Sequence, residues 1–362
     1  MTERSNTTSG PGGRPTGDGD GRLVSAPVTA KPVVTKSFAK TARDPFFDNA
    51  KYLAILLVVT GHLVEPHRDA VLVHALYFFV YLFHMPLFIL LSGYLSRNFT
   101  FGAGKARKLI STLAVPYLIF ETAYSLPSLI LYGKFKLTIL EPYFLTWFLL
   151  SLFLWRLSTP VWQQLRWPLL VAVGLSLLTG MSALPDELSM NRTFGLLPFY
   201  VLGLMLRPEH FALLRRPYMR LAGACTLGIG LAVALLVHDS VPAEWIRWRH
   251  SNAQIGVDDL TGTAIRLGLL VAGAVLLAAF LAITPARRTW FSGLGAATMY
   301  AYLLHGFVVK LAEWLELNLF LSTVVGLVAA TLLCTPPVRR LFHWAVEPRM
   351  SWAFTSLRRP AS

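Results

Sequence analysis

Charged side chains are scarce in this chain. They make up 14% of its 362 residues, while 54% are hydrophobic; a soluble domain carries about 25% charged residues. The balance excludes an ordinary water-soluble globule and points to a polytopic membrane protein. Cysteine is almost missing too. Cys225 and Cys334 both fall inside apolar runs, so they read as small buried residues and not as a disulfide framework or a metal site. Acidic residues number 19 against 33 Lys plus Arg, a formal net charge of +14. That excess does not imply nucleic acid, because the cations gather in short loops between apolar runs, as the positive-inside rule expects. No apolar h-region opens the sequence, and a cleaved signal peptide is not expected. HExxH, CxxC and GxSxG patterns are absent, which leaves zinc hydrolysis and an elbow serine hydrolase without support. No internal repeat is visible, which weakens a reading as an inverted-repeat transporter.

What is present is a succession of apolar runs. Residues 1–42, rich in Gly, Thr, Ser, Pro and basic residues, read as a disordered cytoplasmic tail. Helices are expected at 48–66, 72–95, 107–131, 143–157, 167–182, 194–207, 219–238, 262–284, 290–310 and 319–336. The fourth to sixth are short for a hydrocarbon core of about 30 Å and are expected to be extended, tilted or partly re-entrant. The expected fold is therefore all-α, with about ten transmembrane helices in a domain over 43–345. A cytoplasmic C-terminal tail over 346–362 follows. Arg97, Lys105, Arg107, Lys108, Arg156, Arg207, Arg215, Arg287 and Arg339 then fall on one side with the N-terminal tail, which puts both termini in the cytoplasm. The largest outer loop, 239–261, holds Trp245, Trp248, His250, Asp258 and Asp259. Its Arg247 and Arg249 run against the charge rule.

The chain is organised around RDPFFDNAKYLAILLVVTGHLVE, from Arg43 to Glu65. Lys51 and His62 stand eleven residues apart, within roughly 20° of each other on a helix and about 16 Å apart along its axis. Asp48 and Glu65 lie within about 60° of that line. A polar stripe on a membrane helix is expensive and faces a protein interior or a wet cavity. A lone intramembrane histidine reads equally well as a packing residue, but the company of Asp48, Lys51 and Glu65 favours chemistry. An imidazole can take a proton from a hydroxyl or carry an acyl group transiently. Asp48, one turn from Lys51, would orient or neutralise it; Glu65 would do the same for His62, unless it is simply a wet loop residue.

In the next helix His84, Tyr77, Tyr81 and Ser92 fall near one face, and Pro86 frees a carbonyl and kinks the helix. The loop FGAGKARK lacks the P-loop spacing. Lys105, Arg107 and Lys108 there serve either positive-inside anchoring or phosphate binding. Arg192, on the outer side, and His305, beside Tyr300 and Tyr302, read first as packing or interfacial residues.

The segments RDPFFDNAKYLAILLVVTGH, YLFHMPLFILLSGYLS, KLISTLAVPYLIFE, TWFLLSLFLWRL, RTFGLLPFYVLGLMLR and ATMYAYLLHGF, in that order, resemble the acyltransferase-3 family of membrane acyltransferases. The nearer resemblance is to its fucose 4-O-acetylase-like branch. The resemblance implies a ten-helix plasma-membrane enzyme that binds no resident cofactor. It implies transfer of an acyl group, acetyl foremost, from cytoplasmic acyl-CoA to a hydroxyl of a carbohydrate or lipid-linked sugar. The family pattern of Arg or Lys, ten residues, then His matches Lys51 and His62. Lys51 lacks the planar fork of the commoner Arg, and a family RxxR pattern matches Lys105 to Lys108 only in charge. On this reading His62 is catalytic, with Asp48, Glu65 and His84 as supporting groups. Lys51, Lys105, Arg107 and Lys108 lie near the acyl-CoA phosphates; Tyr81, Ser92 and Arg192 bind substrate. The competing reading is a proton-coupled transporter with His62 and Glu65 as its relay. A third is a structural membrane subunit without chemistry.

Overall fold

The computed structural model describes residues 43–100, 102–132, 139–184 and 187–354. The N-terminal tail at 1–42 and the end of the C-terminal tail, 355–362, lie outside the described residues. Among the described residues every regular element is helical.

Helix α1 (Pro45–Val64) starts where sequence chemistry says it should. The Asp44 carboxylate caps it by accepting from the Phe46 N–H at 3.0 Å, and Pro45 occupies the first turn. The next span is broken in two, α2 (Val71–Tyr81) and α3 (His84–Ser96), with Leu82 and Phe83 between them. Pro86 supplies the cause: it has no N–H to offer the Leu82 carbonyl four residues back. Helices α4 (Ala103–Leu109) and α5 (Val115–Tyr132) join through a π-turn at Ile110–Ala114.

Then come α6 (Trp147–Gln164), α7 (Pro168–Gly180), α8 (Met190–Gly195) and α9 (Leu197–Met205), followed by α10 (Pro208–Leu214), α11 (Pro217–Val237), α12 (Ala243–Arg247) and α13 (Asn252–Ile255). The last four are α14 (Asp259–Ile283), α15 (Thr298–Trp314), α16 (Leu319–Leu333) and α17 (Pro336–Val346).

By length and hydropathy, six helical stretches of the described residues are long and apolar enough to cross a membrane. They are Pro45–His67, Val71–Ser96, Gly104–Leu126, Pro217–Val237, Asp259–Ile283 and Leu294–Trp314. A seventh counts if α16 and α17, bent by 74° at Thr335, form one span. Among the described residues the count is therefore six or seven, short of the expected ten or so. The shortfall has a physical origin in the middle of the chain. Helix α7 has 13 residues, a rise of about 20 Å against a core of about 30 Å. The run at 194–207 is split at Leu196 between α8 and α9. Helix α6 is long enough but carries Arg156, Gln163 and Gln164 in its second half. Of these, α6 and α9 are packed into the bundle, where Leu149, Trp155, Tyr200 and Val201 are enclosed, while α7 leaves Leu170 and Leu178 exposed.

The core forms around α1, which packs against α3, α15 and α16. Between α3 and α9 the two backbones touch. A Cβ on Gly93 would collide with the Tyr200 carbonyl, and one on Gly203 with the Leu90 carbonyl. Small residues at such a crossing are what permit close van der Waals packing where lipid gives no hydrophobic drive. Asn49 on α1 anchors the 285–292 connection. Its Nδ2 donates to the Pro285 and Arg287 carbonyls at 2.8 and 2.9 Å, and its Oδ1 accepts from Ser292 at 2.6 Å. By contrast α11 buries only Gly223 and Ala234, and its Leu221, Ile229 and Leu236 are exposed, as befits a lipid-facing helix.

Candidate active site

Because α1 ends at Val64 and continues into a 3-10 turn over Glu65–His67, Glu65 swings back beside His62. His62 Nδ1 lies 3.3 Å from Glu65 Oε2. The other Glu65 oxygen accepts from Arg247 Nη2 at 2.9 Å and from the Tyr77 hydroxyl at 3.2 Å. Arg247 Nε in turn donates to the Tyr77 hydroxyl at 3.1 Å. Burial alone would weaken the Arg247 charge, but Tyr77 and Glu65 outweigh it and hold its pKa above the usual guanidinium value. Paired in this way, Glu65 is a carboxylate and only accepts. A neutral His62 that donates through Nδ1 to this carboxylate carries its lone pair on Nε2. A carboxylate that fixes the tautomer of an imidazole is the arrangement that makes Nε2 a base.

Around this pair lies a cavity of about 220 Å³ lined by His62, Glu65, Tyr81, His84, Arg192 and Trp147, among others. The break between α2 and α3 places Tyr81 and His84 on its wall, and irregular backbone inside a membrane bundle is tolerated where it lines such a space. Tyr81 OH stands 3.4 Å from His62 Nδ1, and the Tyr81 ring meets the His84 ring edge to face at 4.6 Å. His84 Nδ1 donates to the Val80 carbonyl at 2.9 Å, which leaves its Nε2 as an acceptor. Arg192, from α8, donates through Nε to the Arg247 carbonyl at 3.2 Å and lies 5.0 Å from the Trp147 ring centre. Phe144 and Trp248, which also line the cavity, adopt left-handed backbone with φ of 53° each. Such strain in a non-glycine residue is held only where the surroundings over-determine it, and functional sites collect it.

Two buried groups hold these linings in place. Glu121 accepts from the Tyr143 N–H at 3.0 Å and the Thr146 hydroxyl at 2.5 Å, fixing the turn that carries Phe144. Arg266 in α14 donates to Asn252 Oδ1 at 2.8 Å and to the His250 carbonyl, fixing the 239–261 segment that brings in Arg247 and Trp248.

His62 also lines a second cavity of about 270 Å³, with His67, Glu313, Glu316 and Ser322. The His305 ring lies 5.5 Å from the His62 ring. His305 is fully buried, its Nδ1 is held by the Ala301 and Tyr302 carbonyls, and its Nε2 has no hydrogen-bond partner among the described residues.

The structure thus brings His62, Glu65, Tyr81, His84 and Arg192 together. It does not bring Asp48 and Lys51 there. They pair with each other at 2.8 Å near the start of α1, about 16 Å of helix rise from His62. Lys105 and Lys108 line a separate pocket of about 290 Å³ with Ser96, Thr112 and Arg156. Arg107 stands instead over the Phe354 ring at 4.8 Å, and Ser92 lines none of these three spaces. Arg247 was the residue sequence reasoning passed over. Its signal was there, as an arginine on the wrong side of the charge rule, but only folding shows that Glu65 is its counter-ion.

Fold and cavity together define a multi-pass helical membrane protein with a histidine–carboxylate pair on a cavity lined by both aromatic and charged side chains. The acyltransferase domain model of the acyltransferase-3 family matches residues 44–339, and the chain belongs to that family. A segment of 107 residues is 36% identical to nodulation protein NolL of Mesorhizobium japonicum. That match covers 26% of this chain and 28% of NolL. No solved structure matches.

Proposed function

We propose that the protein is an acyl-CoA-dependent O-acyltransferase, with acetyl as the group transferred and a carbohydrate or lipid-linked sugar hydroxyl as acceptor. The observation that carries this reading is the His62–Glu65 pair, 3.3 Å apart on a cavity walled by aromatic rings and arginines. His62 Nε2 takes the proton of the acceptor hydroxyl as its oxygen attacks the thioester carbonyl. The tetrahedral oxyanion is stabilised by Arg192 and the Tyr81 hydroxyl. Its collapse breaks the carbon–sulfur bond, and the departing CoA thiolate recovers the proton from His62. Glu65 stabilises the imidazolium in between. The same free Nε2 suits transient acylation of His62, which differs only in a trappable acyl-enzyme.

The aromatic lining (Tyr81, Phe144, Trp147, Trp248) suits the flat faces of a sugar ring. This agrees with the resemblance of the segments to the fucose 4-O-acetylase-like branch. The phosphates of CoA bind in the basic pocket that Lys105 and Lys108 line beside Arg156, with Lys51 and Arg107 outside its lining. This reading puts that end in the cytoplasm, with both termini on the same side when six spans cross, and puts the enzyme in the plasma membrane.

The test is release of free thiol from acetyl-CoA by the purified protein with a panel of sugar acceptors. Wild type turns over, and His62→Ala, equally monodisperse, loses about 10²–10⁴-fold. A His62→Ala variant as active as wild type refutes the reading.

A further inference from the structure

A second cluster of chemistry-bearing side chains lies outside the cavity, where the start of α2 meets the end of α11. His74 stands in the first turns of α2, and His238 and Asp239 follow the last residue of α11. One donor atom from each residue lies within 4.8 Å of the other two. His74 Nδ1 is 3.8 Å from Asp239 Oδ1, and His238 Nε2 is 3.7 Å from Asp239 Oδ2. The two imidazole rings are 5.3 Å apart.

His238 makes the case for a ligand. Its residue exposure is 8%, yet neither ring nitrogen has a hydrogen-bond partner among the described residues. A buried imidazole with both nitrogens unpaired bears an uncompensated desolvation cost, about 1–3 kcal/mol for a polar group of this kind. Native proteins leave few such groups unexplained. Its Nε2 points toward the carboxylate and the second imidazole.

We propose that His74, His238 and Asp239 form a binding site for a divalent transition-metal ion of the zinc class. Two neutral imidazoles and one carboxylate are a borderline donor set that suits zinc and disfavours magnesium or calcium, which take oxygen ligands. Bonds of about 2.0–2.1 Å to a tetrahedral ion need donor separations of about 3.3 Å. Closing to that takes rotation of Asp239, whose side chain is 79% exposed, together with rotation of the two imidazoles, whose rings lie 5.3 Å apart, while water takes the fourth position. The scaffold is already assembled. Tyr77 and Phe78 of α2, Ala234 of α11 and Ile246 of α12 form a small apolar cluster of their own. The bound ion bridges α2 and the connection that leads on to α12 and Arg247. This site does not rest on the acyl-transfer reading.

The experiment is a titration of the tag-free, full-length, detergent-solubilised protein with Zn²⁺ against a chromophoric zinc indicator, with thermal unfolding followed in parallel. The native chain is expected to bind one Zn²⁺ that Mg²⁺ does not displace, and to gain Tm on binding. Asp239→Asn weakens binding by at least about tenfold, and His74→Asn by about a hundredfold, with the gain in Tm lost. Both of those residues are accessible, so the variants keep the test open should His238→Asn fail to fold. A native chain that binds no Zn²⁺, or variants that bind it as tightly as the native chain, overturns the proposal.

Discussion

Replacing Glu65 by Gln isolates what the carboxylate does for His62. The side chain keeps its length and its hydrogen-bonding capacity but loses its charge. If the amide oxygen takes the place of the carboxylate, His62 keeps its tautomer and exchanges a charged partner for a neutral one. That difference is about 1–1.5 kcal/mol, or roughly tenfold in rate. The upper bound comes from the imidazolium formed in the transition state. At the 3.3 Å separation of Nδ1 and Oε2, its attraction to the carboxylate is about 5 kcal/mol at an effective dielectric constant of about 20. Arg247 and Arg68, both at the same carboxylate, cancel part of it. If instead the amide NH₂ faces Nδ1, the tautomer inverts and Nε2 is no longer a base. The comparable Asp→Asn change in a serine-protease triad costs about 10⁴-fold. The expected result is a fall in kcat of about 10²-fold, inside the bounds set by those principles, with KM for acetyl-CoA nearly unchanged. The assay is thiol release under saturating donor, on variants that elute as monodisperse protein. A Glu65→Gln enzyme within threefold of wild type would show that His62 does not depend on Glu65, and the dyad would fall.

Gly203→Val is expected to destabilise by at least about 2 kcal/mol, because the added carbons meet the Leu90 backbone and not a movable side chain; an unchanged Tm in detergent would contradict the packing described for α3 and α9. Removing the two lysines of the basic pocket, Lys105→Ala with Lys108→Ala, is expected to raise KM for acetyl-CoA about tenfold with kcat preserved, as loss of uniform binding does. Steady-state kinetics separate the two parameters, and a fall confined to kcat would move the phosphates elsewhere.

Much of this protein is legible in its sequence. Scarce charge and long apolar runs dictate a helical membrane protein, because a bilayer demands that each spanning segment satisfy its own backbone. The spacing of Lys51, His62 and Glu65 follows from helical geometry, and so does the place of Pro86, since a missing N–H frees a carbonyl four residues back. Asp44 and Pro45 announce the start of α1. These effects are decided within a single helix, by residues near one another in the chain.

The site itself is not local. His62 and Glu65 are neighbours in sequence, but Arg247 reaches them from 182 residues away, held there by Arg266 on another helix. His305 arrives from α15, and Arg192 from a helix of six residues that no span pattern would single out. Lys51 shares a stripe with His62 and pairs with Asp48 one turn away, as the spacing predicts, but only the packed structure shows that the cavity takes its cations from elsewhere in the chain. The number of crossings also escapes the pattern, because apolar runs that fill a bundle and apolar runs that face lipid have the same composition. Sequence fixes which groups are too costly to leave bare in a membrane; only the packed structure decides which of them share one cavity, because a charge inside the bundle is stable only where the tertiary fold delivers its partner.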